Sequence, residues 1–483
     1  MKPRQEVPED SPTSSKQIQF GLPLFLESAS PSHFQLIKGW LRLCDEGECS
    51  NEKSCCPEST DTLPTRVVDV GDKTRPKKIG PDTVCLVSTK ESILPTKAEE
   101  RRYIALSHCW GKLTENQLPE WSTTCENKEE RKKGFPVAEL PATFQDAIRV
   151  TREIGQRYLW IDSLCIIQDD DEDWKTESKS MQTVFKNAYC TISATSAEDS
   201  TKGFLNRPTN ESDLQYVTVS ESSHGRVHIC RSIDNFLDDV QNGVLNTRGW
   251  VLQERALSRR TIHFTKRQTY WECGGGVRCE TLTWMKNHMF SFRSDPEFPQ
   301  SIRERSANAQ IELFQTLFKE YSGLNLTNET DRPIAINSLA MELGAALNTN
   351  VRYGIFECYL HESLLWQRSQ KISDKQIPFK TGEAPPSWSW MSYPWQIRYL
   401  SSERVEWDRH VKLVVSNQKN NSYILEARVK RHQDFKIEHD NDDKDGYLWS
   451  DKDTNEELGH FCFDNKLGKS ATEIHLILQW AAT

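Results

Sequence analysis

No apolar run in the sequence approaches the roughly 18 to 20 residues that a membrane-spanning helix needs, and the opening MKPRQEVPEDSPTSSKQ lacks the apolar centre of a secretory signal. The expected setting is the cytoplasm, without membrane contact. The fourteen cysteines then read as thiols and not as a disulfide framework. Three of them, Cys85, Cys165 and Cys190, fall inside apolar runs, where a thiol behaves as a small hydrophobe. Excess positive charge is missing too. A net charge of −9 argues against the general affinity for nucleic acid that clustered Lys and Arg confer, so the basic patches Lys128–Lys133 and Arg255–Arg267 read as solvated faces or partner contacts. There is no phosphate-binding P-loop, no G-x-S-x-G elbow and no internal repeat.

What is present is enough for more than one core. At 483 residues, two or three folded units are expected, with 36% hydrophobic residues to fill them. A charged fraction of 27% and a mean hydropathy of −0.68 describe very polar surfaces. Residues 1–34, rich in Pro, Ser and Glu, read as a disordered tail. The stretch 35–98 leads into the core. It starts with a short amphipathic helix, HFQLIKGWLRL, that runs into Cys44, Cys49, Cys55 and Cys56. Such a cluster raises zinc, but the spacing is not paired C-x-x-C and adjacent Cys55 and Cys56 suit one tetrahedral site poorly. The expectation is a thiol-bearing loop and no metal. VVDV and VCLVS then read as strands around a turn near Gly80.

The core, placed at 99–280, begins with the strand YIALS, whose polar end Ser107-His108-Cys109-Trp110-Gly111 opens into a loop. Residues 112–138 read as an exposed, charged excursion. A helix follows Pro141, with Phe144, Ala147, Ile148, Thr151 and Ile154 at helical spacing and Gly155 at its end. The apolar run Tyr158–Ile167 reads as one buried strand. An acidic turn, a helix burying Trp174, Met181, Phe185 and Ala188, and the strand YCTISAT complete the alternation of an α/β domain with a parallel sheet. On a helical wheel Glu177 falls about 60° from Trp174, within the buried stripe.

In parallel sheets, sites form at the carboxyl ends of strands. Two such ends are polar here, Ser107–Trp110 and Asp162–Gln168. Ser107, His108 and Trp110 offer a hydroxyl, an imidazole and an aromatic face to a nucleotide; Trp110 equally suits packing on the Pro141 helix. Adjacent Ser107 and His108 point to opposite faces, which disfavours a nucleophilic Ser–His pair. Asp162 at a buried strand end needs a partner. Asp169–Asp173 suit helix N-terminal charge better than a divalent ion. Beyond residue 200, YVTVS with RVHIC, the helix NTRGWVLQERALS and the hairpin TIHF/QTYWEC read as mixed α+β. Helices at Ile311–Tyr321 and Ile334–Leu347 fill an extension at 281–400. Residues 401–483, with HVKLVVS, NSYILEARVK and IHLILQ, are mainly β.

The set YIALSHCWG, LPATFQDAI, LWIDSLCIIQ, the helix with Trp174, Glu177 and Met181, and NTRGWVLQERALS resembles the fungal heterokaryon incompatibility (HET) domain family. DRPIAINSLA, LLW and APPSWSWMS are similar to the usual continuation of these proteins. The resemblance implies a fungal protein of nonself recognition that triggers growth arrest and cell death, acting through protein partners or self-assembly. It also implies a fold like that of Toll/interleukin receptor (TIR) domains: a parallel sheet flanked by helices, here followed by the mixed α+β extension and a mainly β part. Some TIR domains hydrolyse NAD with a helix-borne glutamate. Glu177 is the matching residue, with NAD as substrate and no bound cofactor. Its place on an apolar face supports this, while the alternative is a structural bridge to an arginine such as Arg248. Trp250 suits docking of two subdomains, and Arg248 and Glu254 join Ser107, His108, Trp110 and Asp162 as a candidate pocket. PPSWSW reads as packing. The competing class is a non-enzymatic module acting by homotypic assembly.

Overall fold

Polypeptide between residues 25 and 285 builds one large sheet. Its elements begin with α1 (Pro31–Asp45), β1 (Arg66–Asp69), β2 (Thr83–Ser88), β3 (Tyr103–Ser107), α2 (Lys128–Lys133), β4 (Phe135–Pro136) and α3 (Ala142–Glu153). There follow β5 (Tyr158–Trp160), α4 (Asp162–Cys165), α5 (Asp171–Asn187), β6 (Cys190–Ser193), β7 (Tyr216–Ser222) and β8 (Gly225–Cys230). The series closes with α6 (Gly249–Leu257), β9 (Arg260–Phe264), β10 (Thr269–Cys273), β11 (Gly276–Cys279) and β12 (Trp284–Met285). The computed structural model describes residues 25, 28–49, 63–71, 82–92, 95–111, 118–207, 234–285, 298–369, 376–380, 382 and 384–400, with seven further strands between 216 and 230 and between 412 and 462.

The sheet runs β12-β11-β10-β9-β6-β3-β5-β1-β2-β4. Its four central strands, β9, β6, β3 and β5, are mutually parallel. Every other pairing is antiparallel. The parallel sheet expected from the alternation is thus present at the centre, and antiparallel strands extend it on both sides. Parallel neighbours need a long crossover, and α3, α5 and α6 supply three. The short β9–β10 and β10–β11 links permit only hairpins. TIHF forms the expected hairpin with QTYWEC and also enters the sheet as the fourth parallel strand. In chain order the parallel strands lie second, first, third, fourth across the sheet, so the direction of winding reverses between β3 and β6.

A second expectation needs correcting. The run Tyr158–Ile167 is a strand only to Trp160, after which the chain turns into α4. The 118–127 loop provides the reason: Thr123 N–H donates to Ser163 O (3.0 Å), Thr123 Oγ1 to Leu164 O (2.7 Å), and Gln168 N–H to Thr123 O (2.8 Å). A buried apolar run reads the same as strand or helix, and here tertiary partners decide. That loop is no exposed excursion either, since Ser122 and Thr123 are fully buried.

Helix α3 buries Phe144, Ala147, Ile148 and Val150, and α5 buries Met181, Val184 and Phe185. Phe185 meets Trp160 edge-on at 5.7 Å, joining α5 to β5. Each such large side chain contributes about 1.5–3 kcal/mol by leaving water. Asp170 caps α5 by accepting from Glu172 and Asp173 N–H, as the acidic turn suggests. Helices α7 (Ala307–Ser322) and α8 (Arg332–Leu347) form the expected extension, and α6 packs between α5 and α8. Trp390 of the PPSWSW segment is fully buried against Phe318 and Tyr321. Near the C-terminus, a hairpin and a three-stranded antiparallel sheet bear out the β character. Most of residues 1–34, the Gly80 turn and IHLILQ lie outside the described residues. Among the described residues, no helix is long and apolar enough to cross a membrane.

Candidate functional site

Winding reverses between β3 and β6, the position at which open α/β sheets commonly place a ligand site. Ser107 ends β3 beside Ser193 of β6, and Ser193 lies beside His263 of β9. Polar side chains thus line the carboxyl ends of three parallel strands.

Ser107 points toward α6. Its Oγ donates to Glu254 Oε2 at 2.5 Å, with both residues buried. Burial pushes the Glu254 carboxyl up to about 7, against the opposing effect of the Ser107 hydrogen bond, with Asp162 raising it and Arg248 lowering it. The neighbouring His108 faces the α3 side, edge-on to Phe144 at 4.9 Å. Burial lowers its imidazole to about 4, so it is neutral at physiological pH. Its Nδ1 lies 3.9 Å from Asp162 Oδ1, and its buried Nε2 has no hydrogen-bond partner among the described residues. The opposed orientation of Ser107 and His108 follows from strand alternation.

Asp162 stands where the two faces meet. Trp110 Nε1 donates to its Oδ2 at 2.8 Å, and Ser163 N–H to its Oδ1 at 2.6 Å. Its side chain keeps 25% exposure, so the group is open to solvent at this rim. Arg248, half-buried, donates from Nη1 to His108 O at 3.0 Å. The structure therefore brings Ser107, His108, Trp110, Asp162, Arg248 and Glu254 into one cluster. Trp110 also packs as the alternative reading had it: it stacks on His108 and meets Trp121, which meets Phe144 edge-on at 5.0 Å.

Glu177 is held elsewhere. It is 3% exposed, and its Oε1 lies 3.6 Å from Arg66 Nη2, with a further side-chain hydrogen bond to Thr65. Burial raises its carboxyl above the ordinary range, while Thr65 and Arg66 oppose this. Arg66 also binds Asp173 through Nη2 and Cys165 O through Nε. The arginine beside Glu177 is thus Arg66, at the start of β1, and not Arg248. Trp250 docks on the extension, where its Nε1 donates to Asp331 at 3.4 Å.

Reading the residues in order misses Trp121. Trp121 is hidden in a charged stretch, where a lone tryptophan was the available signal. Gln253, 1% exposed beside Glu254, has a buried Oε1 without a partner among the described residues. Of the N-terminal cysteines, Cys44 and Cys49 are buried and lie with Cys273, all three sulfurs within 4.8 Å of one another. Cys55 and Cys56 lie outside the described residues.

Chemically, the cluster holds a carboxyl that changes charge near neutrality, a hydroxyl bonded to it, a neutral imidazole, a guanidinium and an aromatic wall. Residues 103–254 match the family model described as heterokaryon incompatibility protein (HET). The matched span begins at the first residue of β3 and ends at Glu254. No curated protein and no solved structure matches the chain.

Proposed function

This chain is a heterokaryon incompatibility (HET) domain protein, and from that premise we propose that it is an effector of fungal nonself recognition whose domain cleaves NAD at the nicotinamide–ribose bond, with Glu254 as the working carboxylate. One observation carries the reading: Glu254 is buried against Ser107 at the strand-end switch point and titrates near 7. Catalytic carboxyls are tuned to that range.

The cleavage passes through an oxocarbenium-like state. The C–N bond breaks with its electron pair leaving on nicotinamide, water oxygen bonds to the ribose carbon, and the water's proton passes to solvent. Ionised Glu254 faces the developing positive charge. Ser107 orients it by hydrogen bonding, and the low polarity around it strengthens the attraction. Trp110 and Trp121 offer flat faces for a base, and Arg248 offers a charge for phosphate. Glu177, bonded to Arg66 and Thr65, holds α5 against β1.

The test is nicotinamide release from NAD by the purified full chain. Glu254→Gln should lower turnover by about 10²-fold or more, while Glu177→Gln retains it. Absence of turnover in wild type, both as monomer and after self-assembly, would reject the enzyme in favour of an interaction module.

A further inference from the structure

Helix α1 lies along strand β10 in a fixed register. His33 Nε2 is 2.9 Å from Thr269 Oγ1, Trp40 stacks on Trp271 at 6.4 Å, and Cys44 reaches Cys273. The strand residues are spaced by two and so share one sheet face; Trp40 and Cys44 are spaced by four and share one helix face. The same faces that meet through the two tryptophans deliver the two sulfurs. A third sulfur arrives by a turn. Past α1, Gly47 adopts φ +73°, and Glu48 N–H donates to Leu43 O at 2.8 Å, a helix C-terminal reversal. It folds Cys49 back beside Cys44.

We propose that Cys44, Cys49 and Cys273 form a thiolate site for a single zinc ion that staples α1 to β10. Each sulfur lies within 4.8 Å of the other two, and the three residues are 0%, 6% and 3% exposed. Tetrahedral Zn–S bonds of about 2.3 Å set the sulfurs about 3.8 Å apart, so from that upper limit each pair closes by about 1 Å. The sulfurs fill three of the four positions of a tetrahedral ion. Sulfur donors from chain segments over two hundred positions apart suit a soft or borderline cation and exclude magnesium and calcium, which take oxygen.

The surroundings are those of a metal-bound thiolate. Gly275 N–H donates to Cys273 Sγ at 3.4 Å, in the glycine run that follows Cys273. Such outer bonds orient a ligand and offset its charge. Arg260 lies directly across from Cys273 in the β9–β10 register and binds Asp45, the residue after Cys44, at 2.8 Å. Three thiolates and a dication leave one negative charge, which sits beside the Arg260–Asp45 ion pair. The site is remote in role from the Ser107–Glu254 cluster and stands independently of it.

Elemental analysis of the full chain purified without added chelator should find about one zinc per chain, and Cys273→Ser should remove most of it. Because that variant risks misfolding, wild-type protein stripped of metal and titrated with Co²⁺ is the second measurement. A near-ultraviolet sulfur-to-cobalt charge-transfer band saturating at one equivalent, and displaced by Zn²⁺, is the expected result. A zinc-free chain that gives no such band, or peptide mapping that finds Cys273 disulfide-bonded to Cys44 or Cys49, would overturn the assignment.

Discussion

Among individual residues, Glu254 has the largest consequence. Its folded-state value of about 7 lies above the ordinary 4.5, so the folded chain keeps a proton that the unfolded chain releases. The stability this lends is complete below about pH 4.5 and is lost as pH rises through about 7. Wild type should therefore lose up to roughly 3 kcal/mol between pH 5 and pH 8.5, and Glu254→Gln should flatten that loss in denaturant melts. His108 acts with the opposite sign. Lowered from 6.5 to about 4, it favours the fold above pH 6.5 and costs stability as pH falls through about 4. For turnover, ionised Glu254 is the active form, so nicotinamide release should rise with pH through about 7 and level off above it. Glu177 answers differently. Arg66→Ala would leave Glu177 and Asp173 unpaired at a largely buried position and should cost about 3 kcal/mol, seen as a lowered melting temperature, whereas Glu177→Gln should cost much less. The wheel position of Glu177 was legible because helical spacing is local; its partner Arg66 was not, since the pair is separated by over a hundred positions.

For the elements, the alternation of strand and helix from 103 to 193 was legible, as were α3, α5 and the caps, because periodicity and Asp170 or Gly155 act within a few residues. What misled was length. An apolar run of ten can be a strand throughout or a strand turning into a helix, and only the Thr123 loop distinguishes them here. The strand-end loop after β3 rests on one backbone requirement. Gly111 has φ +93°, and a Cβ there would stand 2.7 Å from Asp199 Cβ. Gly111→Ala should thus cost about 1–3 kcal/mol and disturb Trp110, two effects read together by thermal melting and tryptophan fluorescence.

Over the whole molecule, the HET domain does not stand alone. α6 carries Glu254 into the site, yet its other side rests on α8 and its start on Asn325, to which Gly249 N–H donates at 2.8 Å. Lys186 of α5 holds Glu342 of α8 at 2.9 Å. A chain ended at residue 285 would expose this α6 face and should show a lower melting temperature and aggregation in light scattering. The site is assembled by residues from 107 to 254, and α1 reaches back across the sheet to β10. Sequence alone determined that an α/β core with polar strand ends was present, and it singled out all six members of the strand-end cluster, since residue type and strand position are local properties. Only the tertiary structure decided that Glu177 stands apart from them. Crossovers bring α6 over β3 and leave α5's glutamate at β1, and desolvation, which depends on everything packed around a group, then gives Glu254 its titration near neutrality.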